Sequence, residues 1–274
     1  MQKLILSIDQ GTTSSRSVLF NTSGKKIFSS QYEFKQIFPY SGWVEHDPEE
    51  IWKLTLKTIK ESIKKSKSLK AKIISIGIAN QRETTILWDK ITGNPVYNAI
   101  VWQDRRTQKI CENLKKRKLE NLFRKKTGLF IDPYFSATKV KWILDKVSVT
   151  KKLLKNKRLM FGTIDTFLIW RLTNKKNHFT DATNASRTLM FNINLNKWDN
   201  EILKKLKIPK SILPEVKNSA DNFGTTSRKI IGEEIPINAV LGDQQAAAVG
   251  QSCFDKGSVK ITYGTGAFAL INTK

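Results

Sequence analysis

Two glycine-threonine turns in the chain carry residue types suited to a phosphate ligand. The first, residues 11–14 (GTTS), follows an apolar run that ends at Asp9, and the second, residues 264–266 (GTG), follows residues 259–263. Glycine lets a ligand approach the main chain, and turn N–H groups beside threonine hydroxyls form a concave set of donors for phosphate oxygens. Asp9 could hold Mg²⁺ through water, since that ion favours carboxylates and retains water. Two such turns predict two jaws around a polyphosphate and hence a phosphotransferase, with ordinary hairpin turns as the alternative.

Three more polar residues follow apolar runs. Arg82 and Glu83 come just after residues 73–79 (IISIGIA), and Asp243 stands between the apolar residues 239–241 and the small-residue segment 246–250. An adjacent donor and acceptor could bind neighbouring hydroxyl groups of a ligand, because a selective site must match every buried hydroxyl. The alternatives are an exposed ion pair for Arg82 and Glu83 and a helix cap for Asp243.

The order of elements around these residues predicts an α/β domain. Residues 4–8, 16–20 and 27–34 are expected to form an antiparallel meander, with a turn at 21–24. Asp47 is the expected N-cap of a helix, with Pro48 in its first position and Glu50 reaching back, and an apolar stripe follows. Residues 73–79 read as a buried strand, and 84–88 and 96–102 as a strand pair joined by a turn at 89–94.

The remaining segments narrow the fold class. Residues 105–156 are expected to be mostly helical and basic, 237–241 a further apolar run, and 246–250 a closely packing helix. Three strands, a helix and more strands are not the βαβ order of a dinucleotide-binding half, and neither its glycine motif nor a Walker lysine motif occurs. The order is that of a ribonuclease H-like ATPase domain of the actin and hexokinase type, a mixed sheet with flanking helices.

Composition limits the functional classes. The 274 residues carry 48 Lys and Arg against 24 Asp and Glu, a formal charge of +24. Such a balance is typical of nucleic-acid binders, but the lysines are dispersed and lack interleaved aromatic residues, so no specific nucleic-acid partner is expected. Cys111 and Cys253 cannot form a disulfide framework or a zinc cluster. No apolar run is long enough to span a bilayer, and a reducing cytoplasm is the expected compartment.

Eight sequence blocks resemble the FGGY carbohydrate kinase family, and in particular its glycerol-phosphorylating members. They are residues 9–16 (DQGTTSSR), 42–48 (GWVEHDP), 80–85 (NQRETT), 99–107 (AIVWQDRRT), 127–136 (TGLFIDPYFS), 183–187 (TNASR), 242–247 (GDQQAA) and 263–266 (YGTG). These blocks occur in the family order along essentially the whole chain. The resemblance implies ATP-dependent phosphorylation of glycerol to sn-glycerol 3-phosphate, with a kinase of another sugar or polyol as the alternative.

The resemblance also implies a role for individual residues. Asp243 would be the general base that takes the proton from the attacking hydroxyl. The glycerol-binding residues would be Arg82, Glu83, Trp102, Tyr134, Asp243, Gln244 and Phe268. The residues at the nucleotide phosphates would be Thr12, Thr13, Ser14, Arg16 and Thr265, and Asp9 would help to place Mg²⁺ through water. Without the resemblance, Trp102 and Phe268 would be read as core aromatics.

The resemblance further implies a division of the chain. Residues 1–253 are expected to form the substrate-binding domain, and residues 254–274 to begin an ATP-binding domain of which most is missing from this sequence. Because half of the ATP site would then be absent, a glycerol-binding fragment without turnover is a further alternative. The full-length protein is expected to be a homo-oligomer with glycerol and ATP or ADP as its small-molecule partners.

Overall fold

The computed structural model describes residues 1–263 and 266–273, which form a mixed α/β architecture. The strands are β1 (Lys3–Gln10), β2 (Ser14–Asn21), β3 (Lys26–Glu33), β4 (Glu45–His46), β5 (Lys72–Asn80), β6 (Ile86–Asp89), β7 (Ala99–Ile100), β8 (Leu159–Gly162), β9 (Phe179–Asp181), β10 (Phe191–Asn192), β11 (Lys197–Trp198), β12 (Glu215–Lys217), β13 (Ile237–Gly242), β14 (Val259–Tyr263) and β15 (Ala267–Ile271). The helices are α1 (Pro48–Ser68), α2 (Gln108–Lys116), α3 (Glu120–Thr127), α4 (Ser136–Lys146), α5 (Val149–Lys155), α6 (Ile164–Leu172), α7 (Ala182–Ala185), α8 (Asn200–Leu206), α9 (Arg228–Ile231) and α10 (Asp243–Gly250).

The central sheet has five strands in the order β13-β5-β1-β2-β3. Strands β1, β2 and β3 form the expected antiparallel meander, while β5 pairs parallel to both β1 and β13. Leu4, Leu6 and Ile8 alternate along β1 and are buried, as the period of two in a strand requires. The predicted fold class, a mixed sheet with flanking helices, is confirmed.

Helix α1 begins as the sequence predicts, with one difference in its cap. The Asp47 carboxylate accepts the Glu49 N–H at 2.8 Å, and Pro48 is the first helical residue. Glu50 does not reach back to the cap, because its carboxylate instead accepts the backbone N–H of Lys35 at 3.3 Å. The expectation of a full capping box was therefore wrong.

The predicted antiparallel contact between 84–88 and 96–102 forms, but the prediction missed the strands that pair with each segment on its other edge. Strand β6 pairs antiparallel with β8, and β7 pairs with β4. The expected turn forms, since Gly93 N–H donates to the Asp89 carbonyl at 2.8 Å, and antiparallel bridges from Thr85 to Ile100 and from Trp88 to Pro95 join the two segments. All four residues of β6 and all four of β8 are buried, so the ladder between them lies in the interior.

The buried apolar residues that the structure describes form two clusters, one that includes residues of the central sheet and a second that includes residues of α2 to α5. Helices α2 to α5 occupy residues 108–155, as expected, and contribute Leu114, Phe123 and Ile143 to the second cluster. Within the described ranges, every helix falls short of the length or the hydropathy that a bilayer-spanning helix needs. Strands β14 and β15 pair with each other as a separate two-stranded sheet. The domain boundary at residue 253 stays a prediction.

Candidate active site

The ends of three parallel strands bring the predicted residues together. The loop after β1 holds residues 11–13, the loop after β5 holds Arg82 and Glu83, and α10 begins directly after β13. Because the carboxyl ends of parallel strands meet at one edge of a sheet, these segments enclose a shared crevice. It has a volume of about 180 Å³ and is lined by Thr12, Arg82, Glu83, Trp102, Tyr134, Asp243, Gln244, Thr262, Gly266 and Phe268. The structure thus gathers all seven residues expected at glycerol into one cavity.

Arg82 and Glu83 are buried, so the alternative of an exposed ion pair was wrong. The Arg82 side chain is 7% exposed, and its Nε lies 3.3 Å from Asp243 Oδ1. Glu83 adopts a left-handed backbone with φ of 62°, an uncommon conformation for a residue other than glycine. Hydroxyls of Ser136 and Thr85 donate to the Glu83 carbonyl at 2.8 and 3.0 Å and help to hold this backbone.

The Glu83 carboxylate forms an ion pair with Arg187, which is distant in sequence. Its Oε1 accepts a hydrogen bond from Arg187 Nε at 2.7 Å. Burial raises the pKa of Glu83, and the charges of Arg82 and Arg187 oppose that rise by favouring the ionised form. An ionised carboxylate accepts hydrogen bonds only, so these two cations favour Glu83 as an acceptor for a ligand hydroxyl.

Asp243 is the first residue of α10, and Gly242 is its N-cap. The alternative that Asp243 is the N-cap of this helix was therefore wrong, because the cap lies one residue earlier. Asp243 Oδ1 nevertheless accepts the Gln244 N–H at 2.7 Å. Burial raises the pKa of Asp243, while the Arg82 charge and the Gln244 N–H lower it. The side chain is 35% exposed, so the carboxylate is open to the cavity. These contacts leave it an accessible proton acceptor.

Gly242 is required by the close approach of Arg82. A Cβ atom at this position would lie 2.5 Å from Arg82 Cδ and 2.7 Å from Cγ. The Gly242 N–H also donates to Thr183 Oγ1 at 2.8 Å, which fixes the start of α10 to α7. The junction between β13 and α10 thus sets the distance between Arg82 and Asp243.

Three aromatic rings form an apolar wall. Trp102 makes edge-to-face contacts with Tyr134 and Phe268, at centroid distances of 5.6 and 5.9 Å. The Trp102 indole N–H donates to Thr12 Oγ1 at 3.0 Å. All three rings are half-buried, so Trp102 and Phe268 are wall residues rather than core aromatics. The wall can pack against the carbon chain of a small polyol.

The first glycine-threonine turn joins the antiparallel strands β1 and β2. Gly11 N–H donates to the Ser14 carbonyl at 3.0 Å, and Thr13 is exposed. Gln10 supports this turn from the interior, since its Oε1 accepts hydrogen bonds from the Ser15 and Thr55 hydroxyls at 2.6 and 2.9 Å. These contacts make the turn a firm surface beside the cavity.

The other residues expected at the nucleotide have different placements. Arg16 is exposed and forms an ion pair with Asp9 at 2.5 Å, just outside the cavity. Ser14 Oγ accepts a hydrogen bond from Gln31 Nε2 at 3.0 Å. Thr265 of the second turn lies outside the described residues.

The residues present fit a magnesium ion only together with ligand oxygens. Among residues 1–263 and 266–273, no group of three or more His, Cys, Asp or Glu side chains could hold a metal ion. Asp9 contributes one carboxylate next to the first turn, and its charge acts on Asp243. Mg²⁺ is commonly held by one or two carboxylates, retained water and substrate phosphates, so Asp9 fits such a water-mediated role.

Three features of the site were missed from the sequence. Lys260 on β14 donates to Gln244 Oε1 at 2.7 Å, so the amide oxygen of Gln244 already has a partner. Thr262 and Gly266 line the cavity beside it. Arg187 lies inside the block 183–187, but no spacing rule connects it to Glu83 because the two residues are 104 positions apart.

The chain belongs to the FGGY family of carbohydrate kinases, whose N-terminal domain matches residues 4–250. Among its relatives, the glycerol kinase of Chelativorans sp. (strain BNC1) is 56% identical over 273 residues, and that of Staphylococcus epidermidis (strain ATCC 12228 / FDA PCI 1200) is 57% identical over 274 residues. Both matches include 100% of this chain and 55% of the relative. The chain therefore spans about half the length of these curated relatives, and the expected family is confirmed.

Solved kinase structures also resemble this chain in fold. The crystal structure of Plasmodium falciparum glycerol kinase with ADP matches 99% of this chain and 54% of its own, with a TM-score of 0.94 and 40% identity. Gluconate kinase from Lactobacillus acidophilus has a TM-score of 0.87 at 24% identity, over 97% of this chain and 53% of its own. At that identity the second match shows a shared fold alone.

Proposed function

We propose that this chain supplies the glycerol site, the general base and the first phosphate-binding turn of an ATP-dependent glycerol kinase. The observation that carries the proposal is the cavity of about 180 Å³ in which a buried Arg82–Glu83 pair, Asp243 and an aromatic wall face one another. The similarity to glycerol kinases, at 55–57% identity over the chain, supports glycerol as the substrate.

Substrate selection follows from the polar and apolar sides of this cavity. The guanidinium of Arg82 donates and the carboxylate of Glu83 accepts, so neighbouring hydroxyls of glycerol are matched with partners of both kinds. Trp102 and Phe268 pack against the carbon chain. A ligand that lacks one hydroxyl leaves a buried polar group unpaired, which costs about 1–3 kcal/mol. The site therefore selects by hydroxyl pattern as well as by size.

Asp243 is the proposed general base. Its carboxylate accepts the proton of the attacking hydroxyl while that oxygen forms its bond to the γ-phosphorus of ATP, and ADP leaves with the bridging electron pair. Arg82, at 3.3 Å, and the Gln244 N–H hold Asp243 ionised before the transfer. General-base assistance of this kind contributes roughly 100- to 10,000-fold to a rate. Positioning and charge stabilisation supply most of the remainder, because phosphoryl transfer asks little covalent chemistry of the protein.

The nucleotide phosphates are proposed to lie against residues 12–14. Thr265, which lies outside the described residues, is expected to contact them as well. The N–H groups and hydroxyls of the first turn donate to phosphate oxygens, and Arg16 offsets charge that builds on the transferring group. Asp9 is the residue that would hold Mg²⁺ through water, and the ion would neutralise charge on the phosphates. Nothing in this step requires a further metal ligand from the chain.

A titration and a turnover assay test the proposal together. Glycerol, xylulose and ribulose are each added to the chain and followed by amide and indole NMR signals, and ADP release is measured with ATP and Mg²⁺. Glycerol is expected to shift the Trp102 indole signal, and the pentuloses are not. Binding of a pentulose without glycerol binding would instead favour the alternative of a related sugar kinase. Glycerol binding without ADP release would support the alternative of a fragment without turnover.

Several expectations from the sequence stay predictions. Affinity for duplex DNA is expected to disappear with rising salt and to lack sequence preference, because the basic surface is dispersed. The homo-oligomeric state of the full-length protein and its cytoplasmic location also stay predictions.

A further inference from the structure

Arg187 connects two residues of the proposed glycerol site that lie far apart in sequence. It belongs to the 3-10 turn Ser186–Thr188, which directly follows α7. Its Nε donates to Glu83 Oε1 at 2.7 Å, and the two side chains are 22% and 2% exposed. Among the described residues, Arg187 provides the hydrogen bond found at the Glu83 carboxylate. The remaining carboxylate oxygen is then available to a ligand in the cavity.

The same guanidinium also contacts the aromatic side of the site. Its central carbon lies 5.4 Å from the Tyr134 ring centroid and 4.9 Å from that of Phe135. Arginine is suited to such a position because its planar group can stack on a ring while its N–H groups point in fixed directions. One side chain therefore fixes the carboxylate of Glu83 relative to the ring of Tyr134.

The charges around Glu83 show why this contact matters. Four titratable groups in the described part of the chain, besides Arg187, act on the Glu83 carboxylate. They are Arg82 in the loop after β5, Asp243 on α10, Tyr134 in the loop before α4, and the buried Lys139 on α4. Arg82 is shared with Asp243, at 3.3 Å. Arg187 is thus the cation whose hydrogen bond goes to Glu83.

We propose that Arg187 is a positioning residue for the glycerol site, which keeps Glu83 ionised and oriented as a hydrogen-bond acceptor. This inference rests on the proposed function, because it assigns Arg187 a part in glycerol recognition. A purely structural ion pair would stabilise the fold and leave the ionisation of the site unchanged. A positioning residue instead sets the pH range in which the site can accept a hydroxyl.

The consequence of removing Arg187 follows from the burial of its partner. Without the guanidinium, a buried carboxylate loses its main hydrogen bond and binds a proton more readily. The protonated acid presents a donor where the ligand needs an acceptor. The pKa of Glu83 therefore rises in Arg187→Gln, and glycerol affinity is lost at low pH and regained as the pH rises through the new pKa.

Two measurements on the full 274-residue chain test this proposal. The Glu83 carboxyl carbon is titrated by ¹³C NMR, and glycerol affinity is measured by NMR from pH 5 to pH 9, in the wild type, R187Q and R187K. The matched control is R158Q, which removes an arginine from the ion pair with Asp89, where the two side chains are 32% and 9% exposed and lie outside the cavity. A rise of one unit in the Glu83 pKa corresponds to roughly tenfold weaker glycerol binding at a pH below both values.

The expected result is a raised Glu83 pKa and a pH-dependent loss of affinity in R187Q, an intermediate effect in R187K, and neither effect in R158Q. An unchanged Glu83 pKa in R187Q, or a loss of affinity that is the same at every pH, would overturn the proposal. If R187Q does not fold, R187K decides, because it keeps the charge and loses the stacking plane. A wild type that fails to bind glycerol would refute the proposed function, while the ¹³C titration would still test the role of Arg187.

Discussion

Replacing Gly242 with alanine is expected to weaken glycerol binding through Arg82 while the domain stays folded. The new Cβ would lie 2.5 Å from Arg82 Cδ and 2.7 Å from Cγ. Carbon atoms prefer separations of about 3.5–4.0 Å, so the Arg82 side chain must move by roughly 1 Å. That movement takes the guanidinium away from both Asp243 and the cavity.

The magnitude follows from the contacts that are lost. A hydrogen bond to a charged group contributes about 1.5–3 kcal/mol. Since 1.4 kcal/mol is a factor of ten in a binding constant, glycerol should bind roughly 10- to 100-fold more weakly. Overpacking also lowers the free energy of unfolding by about 1–3 kcal/mol. Glycerol titration followed by the Trp102 indole NMR signal gives the binding constant, and urea unfolding gives the stability.

Gly250→Ala, at the opposite end of α10 from the Gly242 cap, is the matched control. No atom lies within 4 Å of a Cβ built at Gly250, so this variant should bind glycerol as the wild type does. Unchanged glycerol affinity in a folded Gly242→Ala chain would show that the position of Arg82 does not control glycerol binding.

Four other substitutions have defined outcomes. Asp243→Asn should reduce ADP release by roughly 100- to 10,000-fold in a coupled assay, and retained turnover would exclude Asp243 as the base. Burial raises the pKa of Asp165 to about 7, so the folded state binds that proton more tightly and the free energy of unfolding falls from about pH 4 to about pH 7. Urea unfolding should show a flatter dependence in Asp165→Asn, and an equal slope would contradict the assignment. Lys139→Met leaves three backbone carbonyls without their donor, so it should lower both the melting temperature and the glycerol affinity. Calorimetry measures the first and glycerol titration the second, and no change in either quantity would contradict this role of Lys139. Trp102→Phe removes the hydrogen bond from the indole N–H to the Thr12 hydroxyl and should weaken glycerol binding by about 0.5–1.5 kcal/mol. Unchanged affinity would contradict a role for the indole N–H.

Local signals in the sequence were sufficient for much of the fold. Asp47 and Pro48 mark the start of α1, and the alternating and apolar runs mark β1, β3 and β5 within one or two residues. These features depend on neighbours in sequence, such as a cap oxygen or a period of two. The order of strands and the one long helix were enough to indicate the mixed sheet.

Partners distant in sequence could not be predicted in this way. Strand β6 forms its regular ladder with β8, about seventy residues away, in addition to the bridges that join it to the next extended segment. The oxygen of Glu50 goes to Lys35 instead of the helix cap. In both cases tertiary contacts decide between local options that are nearly equal in energy.

The candidate site shows the same division. Family resemblance indicated the residues expected at glycerol, and the structure places these residues in one cavity. It did not indicate that Arg187 pairs with Glu83 or that Lys260 pairs with Gln244. Neither contact follows a helical or strand spacing, so each depends on the packed fold.

The most direct test of the central claim is an NMR titration of the 274-residue chain with glycerol and, separately, with xylulose. Glycerol is expected to give saturable shifts at the Trp102 indole and at the amides of Glu83 and Gln244, and xylulose is expected to give no comparable shifts. Shifts at these positions with xylulose and none with glycerol would contradict the proposed glycerol site.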